Sequence, residues 1–132
     1  MRDWLFILDP SEPNLDGKHP TKDRVLDLAK TASRREWWLA RRRHMAAGDR
    51  IWIYFATPVM EVAAVADVQG EPWEVSGDAK YPWRVQAALN LEGTRALYRS
   101  PVPLAAMSNQ HPQGVPLVRD SDLALLLSHA KV

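Results

Sequence analysis

The chain contains no cysteine, which excludes disulfides and thiolate metal sites and fits a cytoplasmic setting. Histidine is sparse. His19, His44, His111 and His129 are scattered, and none stands at ligand spacing to a second histidine or a carboxylate, so no metal is expected. Only 6 of the 132 residues are glycine, and there is neither a glycine-rich phosphate loop nor a Gly-x-Ser-x-Gly elbow. A close His/acid pair at catalytic spacing is missing too. The acidic pairs Asp120/Asp122 and Glu71/Glu74 read as helix capping and loop surface. The first apolar run, residues 4–8, is too short for a signal peptide, and no stretch could cross a bilayer as a helix. No cofactor is implied, and the pattern favours a binding module over an enzyme.

Net charge is also nearly absent, at 17 Lys+Arg against 16 Asp+Glu, so any basic character must be local. It is concentrated in residues 33–55, SRREWWLARRRHMAAGDRIWIYF. That stretch holds Trp37 and Trp38, then Arg34, Arg35, Arg41, Arg42 and Arg43, a Gly48-Asp49 turn, and an aromatic strand with Trp52, Tyr54 and Phe55. Cations hold phosphates and flat rings stack on bases, so this composition suits a nucleic-acid site. The bland alternative makes the tryptophans core and the arginines a solvated face. Of 11 aromatic residues (Trp 6, Tyr 3, Phe 2), more than half are Trp, which calls for a formed core, a stacking pocket, or both.

The length suits one domain, 1–132, with a single core. Residues 4–8 read as a buried strand stopped by Asp9-Pro10, and 11–20 as a polar loop in which Asn14 could bond a ligand edge. Residues 21–32 read as a helix capped by Thr21. Residues 33–47 allow two readings. One is a helix opened by a Ser33/Glu36 capping box; the other is an extended segment with Trp37 and Leu39 on one side and Trp38 on the other. Residues 50–56 form the strongest strand, with Ile51, Ile53 and Phe55 on one face and Trp52 and Tyr54 on the other. Residues 61–69 make an antiparallel neighbour, 70–81 a loop carrying Trp73, and 83–91 a half-buried strand. Residues 92–94 read as a turn, 95–98 as a short strand, 101–107 as an extended lead-in plus a helical turn, and 120–130 as a closing helix. The result is an α+β domain whose sheet curls into a small barrel.

In order, WLFILDP (4–10), WWLARRR (37–43), GDRIWIYF (48–55), VAAVADVQGEPW (62–73), and YPWRVQAAL with PVPL (81–104) resemble the EVE domain, a PUA-like relative of the YTH and ASCH domains. The resemblance implies a twisted antiparallel β-barrel flanked by helices, with a pocket that accepts a flipped-out, often modified base. By the same resemblance Trp38, or its neighbour Trp37, is the stacking ring, Tyr54 the aromatic after Gly-Asp, and Trp73 a second wall. Asp9 stands where relatives often have Asn, and an ionised carboxylate only accepts hydrogen bonds. Arg34, Arg35, Arg41, Arg42 and Arg43 would hold the nucleic-acid backbone, while Trp4, Trp52 and Trp83 support the core or pocket. The implied partner is DNA or RNA with a methylated base, with no membrane and with a separate effector protein. The Gly-x-Lys-x-x-Glu-x-Arg pattern of ASCH proteins is absent, which weighs against a nucleoside-processing enzyme. A protein-interaction module is the remaining alternative.

Overall fold

The structure, a computed structural model, describes residues 1–12 and 19–132. The elements run β1 (Asp3–Leu8), α1 (Lys22–Thr31), β2 (Arg34–Leu39), β3 (Arg50–Phe55), β4 (Glu61–Val68), β5 (Trp73–Glu74), β6 (Trp83–Leu89), α2 (Leu91–Arg99), β7 (Val102–Pro103) and α3 (Asp120–Ala130). The main sheet has the order β1-β3-β4-β6-β2, with β5 paired to β6 and β7 to β4. This is the α+β, curled-sheet architecture expected, with one correction. β1 and β3 run parallel, from Asp3↔Arg50 to Leu8↔Phe55, so the sheet is mixed. A chain that leaves β1, makes a helix and returns beside it can be parallel, because the crossover is long enough.

Two Trp/carboxylate pairs fix that parallel seam. Asp3 Oδ1 accepts from Trp52 Nε1 at 2.9 Å and from Arg50 Nε at 2.7 Å. Asp49 accepts from Trp4 Nε1 at 3.2 Å, Arg2 N at 2.9 Å and Ala46 N at 3.1 Å. Burial pushes the Asp49 carboxyl up, but these three donors outweigh it and hold the group below its ordinary value. Gly48, at φ +94, turns the chain into β3.

β3 is buried on both faces. Ile51, Ile53 and Phe55 join Trp4, Phe6, Trp37, Leu39, Val85 and the α1 residues Val25, Leu28 and Ala29 in one core cluster. Trp52 and Tyr54 join Leu5, Val65, Leu97 and Leu126 in a second cluster, where α2 and α3 contribute. The sheet is thus covered on two sides, by α1 within its curl and by α2 and α3 behind.

One open reading is decided and one element differs from the sequence-based expectation. Of the two readings of residues 33–47 the extended one holds at 34–39: β2 pairs with β6 from Arg34↔Ala88 to Leu39↔Trp83. Residues 91–99 are the helix α2 instead of a turn and a strand. Asn90 caps it, its Oδ1 accepting from Gly93 N at 2.9 Å. Among the described residues no helix is long and apolar enough to cross a membrane.

Candidate functional site

In the pairing order β1 and β2 stand at opposite ends of the sheet, and the curl leaves a seam between them. The free edge of β1 is taken up by residues 116–118: Leu5 N donates to Pro116 O at 2.8 Å and Val118 N to Asp3 O at 2.9 Å. Beside this seam lies a cavity of about 520 Å³, within the range of small-molecule sites. Its walls come from the end of β1 (Phe6, Ile7, Asp9), the end of β2 with the segment just after it (Trp38, Ala40, Arg41, Arg43), the loops carrying Glu12 and Tyr81, and residues 113–115.

Two rings face each other here. The Trp38 and Tyr81 centroids are 6.1 Å apart at an interplanar angle of 42°. Arg84 lies against Trp38, its Cζ 4.7 Å from the ring centroid. Trp38 reaches this position because strand alternation sends Trp37 and Leu39 into the core and turns Trp38 outward. Tyr81 is placed by two carboxylates. Asp78 Oδ1 accepts from Tyr81 N at 2.9 Å, and Glu12 Oε2 accepts from the Tyr81 hydroxyl at 3.0 Å. Glu12 also takes Lys80 Nζ at 2.7 Å, and Lys80 lies 5.4 Å from the Tyr81 ring centroid. The loop after β1 is therefore tied to the loop before β6.

The charges follow from these contacts. The Lys80 ammonium, then the Tyr81 hydroxyl, hold the Glu12 carboxyl low. Burial, then the Glu12 carboxylate, pushes the Tyr81 phenol up, so it stays protonated and donates. Asp9 accepts Ser11 Oγ at 2.7 Å and Ser11 N at 2.8 Å on Oδ1, and these two bonds hold its carboxyl low. Asp9 Oδ2 carries no hydrogen bond among the described residues, which leaves an acceptor at the cavity wall. Arg41 is exposed at the rim. Arg43 lies across Gly114, where an added Cβ would come within 3.1 Å of its Nη2.

Of the residues anticipated from sequence, the fold brings Trp38, Asp9, Arg41 and Arg43 to this cavity. The others lie elsewhere. Trp37 is 2% exposed and packs edge-on to Phe6 at 5.5 Å. Its indole N–H is spent on Ala87 O at 3.3 Å, because odd positions of β2 face inward. Tyr54 is buried in the cluster beneath α2 and α3, on the face of β3 away from the curl. Trp73, on β5, does not line the cavity, whereas Tyr81 does, beside Trp38. Arg42 lies over Trp83, Cζ to centroid 5.6 Å, and Arg35 shares the inward face of Trp37 and is half-buried. Arg34 is exposed on the face of Trp38, away from the cavity wall. Asn14 lies outside the described residues. Tyr81, Arg84, Glu12 and Asp78 were missed by sequence reasoning. Tyr81 belongs to the YPW motif, but the side chains that orient it come from two separate loops.

No protein-family model matches the sequence, and no curated protein matches it. Solved structures do. A protein of Rhodopseudomonas palustris solved by NMR superposes with a TM-score of 0.60 at 19% identity, over 99% of this chain and 94% of that one. A crystal structure from Agrobacterium tumefaciens gives 0.60 at 15%, over 100% and 94%. The ASCH protein of Zymomonas mobilis gives 0.57 at 15%, over 96% and 94%. At such identities the likeness concerns the fold, which is the PUA-like fold of ASCH domains. The protein is thus an α+β domain that shares the fold of that ASCH structure and carries an aromatic, carboxylate-lined cavity at its seam.

Proposed function

We propose that this protein is a non-catalytic module of the EVE type that binds DNA or RNA and holds one flipped-out base between Trp38 and Tyr81. The facing ring pair, 6.1 Å between centroids at the wall of a cavity of about 520 Å³, is the observation that carries this reading. Extruding a base costs a few kcal/mol, and stacking on an aromatic returns about 1–3 kcal/mol per base. The rings sit 42° apart, so the base wedges them toward parallel. A methyl group on the base adds about 0.8 kcal/mol by burial against Phe6 and Val115. Arg41 and Arg43 at the cavity supply cations for the flanking phosphates.

The open acceptor of Asp9 favours a base that offers an amino group, such as cytosine or adenine, over uracil or thymine. The low carboxyl pKa values of Asp9 and Glu12 also support binding over acid–base catalysis, since a general acid or base is tuned toward neutral pH. A nucleoside-processing activity predicts turnover of nucleosides by the purified protein. The site works inside the cell on this reading, alongside a separate effector protein, with no membrane contact.

The test is quenching of tryptophan fluorescence by short DNA and RNA oligomers, with and without methylated cytosine or adenine. Binding is expected to be tighter for one modified oligomer and to weaken at least tenfold in Trp38→Ala with the fold intact. Unchanged binding by that variant would sink the proposal.

A further inference from the structure

Trp38 of β2 and Trp73 of β5 both stand opposite Arg84 of β6, one on each side. Directly opposed residues on antiparallel strands share a face, so Trp38, Arg84 and Trp73 form one row across the sheet. Arg84 already lies over Trp38 at 4.7 Å and is tied to Asp78 Oδ2 at 3.1 Å. This face is open to solvent along β2, where Arg34 and Glu36 are exposed and Trp38 is half-buried, while Arg84 in the middle of the row is buried. Trp73 is 37% exposed. Its ring has no aromatic or cationic partner, and its indole N–H no hydrogen bond, among the described residues. An indole on a two-residue edge strand, partly exposed and with no hydrogen bond to its N–H among the described residues, offers ring surface and a donor to a ligand.

We infer that Trp73 is a second stacking platform, which takes a base adjoining the one held at Trp38, so that the ligand is a single strand of nucleic acid. The inference rests on the nucleic-acid reading of the cavity. Two strand spacings of about 4.8 Å separate the backbones of Trp38 and Trp73, or about 10 Å. Bases stacked on one another in a duplex are only about 3.4 Å apart along a strand. Neighbouring bases that remain stacked cannot reach both rings. A strand with splayed bases can, and such strands bind by laying successive bases on aromatic side chains. Arg84, buried between the two rings and tied to Asp78, fixes the row that carries them.

The experiment compares wild type, Trp73→Ala, Trp73→Phe and Trp38→Ala for three ligands containing the preferred base: the mononucleoside, a single-stranded pentanucleotide and a blunt duplex. Wild type is expected to bind the pentanucleotide more tightly than either other ligand. Trp73→Ala weakens the pentanucleotide by about 5- to 150-fold, the equivalent of one lost stacking contact, and leaves the mononucleoside within about twofold of wild type. Trp73→Phe keeps most of the pentanucleotide affinity. Equal pentanucleotide affinity in wild type and Trp73→Ala, or a duplex bound more tightly than the single strand, overturns the inference while the cavity reading stands. Undiminished binding of both nucleoside and pentanucleotide by Trp38→Ala removes the cavity reading, and the inference with it.

Discussion

The Asp78 carboxylate accepts from the amides of Lys80 and Tyr81 and from the Arg84 guanidinium, so one side chain orients both the second ring and the cation behind the first. Asp78→Ala is therefore expected to weaken oligomer binding several-fold, with little change in the melting temperature, as followed by fluorescence titration beside thermal unfolding. Asp9 differs, because its Oδ2 has no hydrogen bond among the described residues and the side chain lines the cavity. Asp9→Asn keeps an acceptor for Ser11 and adds a donor at the cavity, so discrimination between cytosine and uracil should shrink. One net hydrogen bond is worth about 0.5–1.5 kcal/mol, or roughly 2- to 12-fold in the affinity ratio. A ratio unchanged in Asp9→Asn would mean that the carboxylate does not read the base edge.

At the scale of elements, α2 shows how a helix of modest propensity is held by its surroundings. It contains Gly93 and Thr94, both poor helix formers, yet Asn90 caps it. Thr94 Oγ1 donates to Val65 O at 3.1 Å, and Val65 N donates back to Thr94 Oγ1 at 3.3 Å. Gly93 is there because the helix lies close on β4: a Cβ would come within 2.7 Å of Val65 Cγ1 and 3.0 Å of Val132 Cγ1. Replacing glycine in a helix by alanine ordinarily gains up to about 1 kcal/mol. Here overpacking, about 1–3 kcal/mol, opposes it. Gly93→Ala should lower stability in urea denaturation, and a rise would show that the helix can shift away from the sheet.

For the molecule as a whole, pH and salt act on separate groups. Asp49 has a folded pKa below its ordinary value of 3.8. Its stabilising contribution is complete above that value and is lost as the pH falls through the lower folded pKa. Asp9 and Glu12 carry the same sign. Stability should be level from about pH 5 to 7 and fall below about pH 4. Asp49→Asn, already without that charge, should show a lower plateau and a shallower acid slope. Salt leaves this seam alone and acts on the rim. If Arg41 and Arg43 each meet a phosphate of a single strand, log affinity falls against log salt with a slope of about −1.4. A slope near zero would remove the basic rim from the binding account.

Much of the fold was legible in the sequence because its strands and two of its helices are marked locally. Thr21 caps α1, with its Oγ1 accepting from Arg24 N at 3.0 Å, as the residue type suggests. IWIYF read as a strand with two apolar faces, either central or lining a pocket; the two core clusters make it central and take Tyr54 into the core. Residues 34–39 were undecided, since a Ser/Glu capping pattern and an alternating pattern coexist there; the antiparallel partner β6 decides for the strand. The parallel β1–β3 pairing was invisible, because its Trp–Asp bonds join residues more than forty positions apart. By itself the sequence determined the α+β class, the aromatic and basic character of residues 33–55, and the absence of thiol chemistry. Only the tertiary structure decided which ring is core and which lines the cavity. Trp37 and Trp38 are chemically identical neighbours, and strand geometry alone sends one inward and the other to the cavity. The curl of the sheet then brings Tyr81, Glu12 and Arg43, from three distant segments, to the same wall.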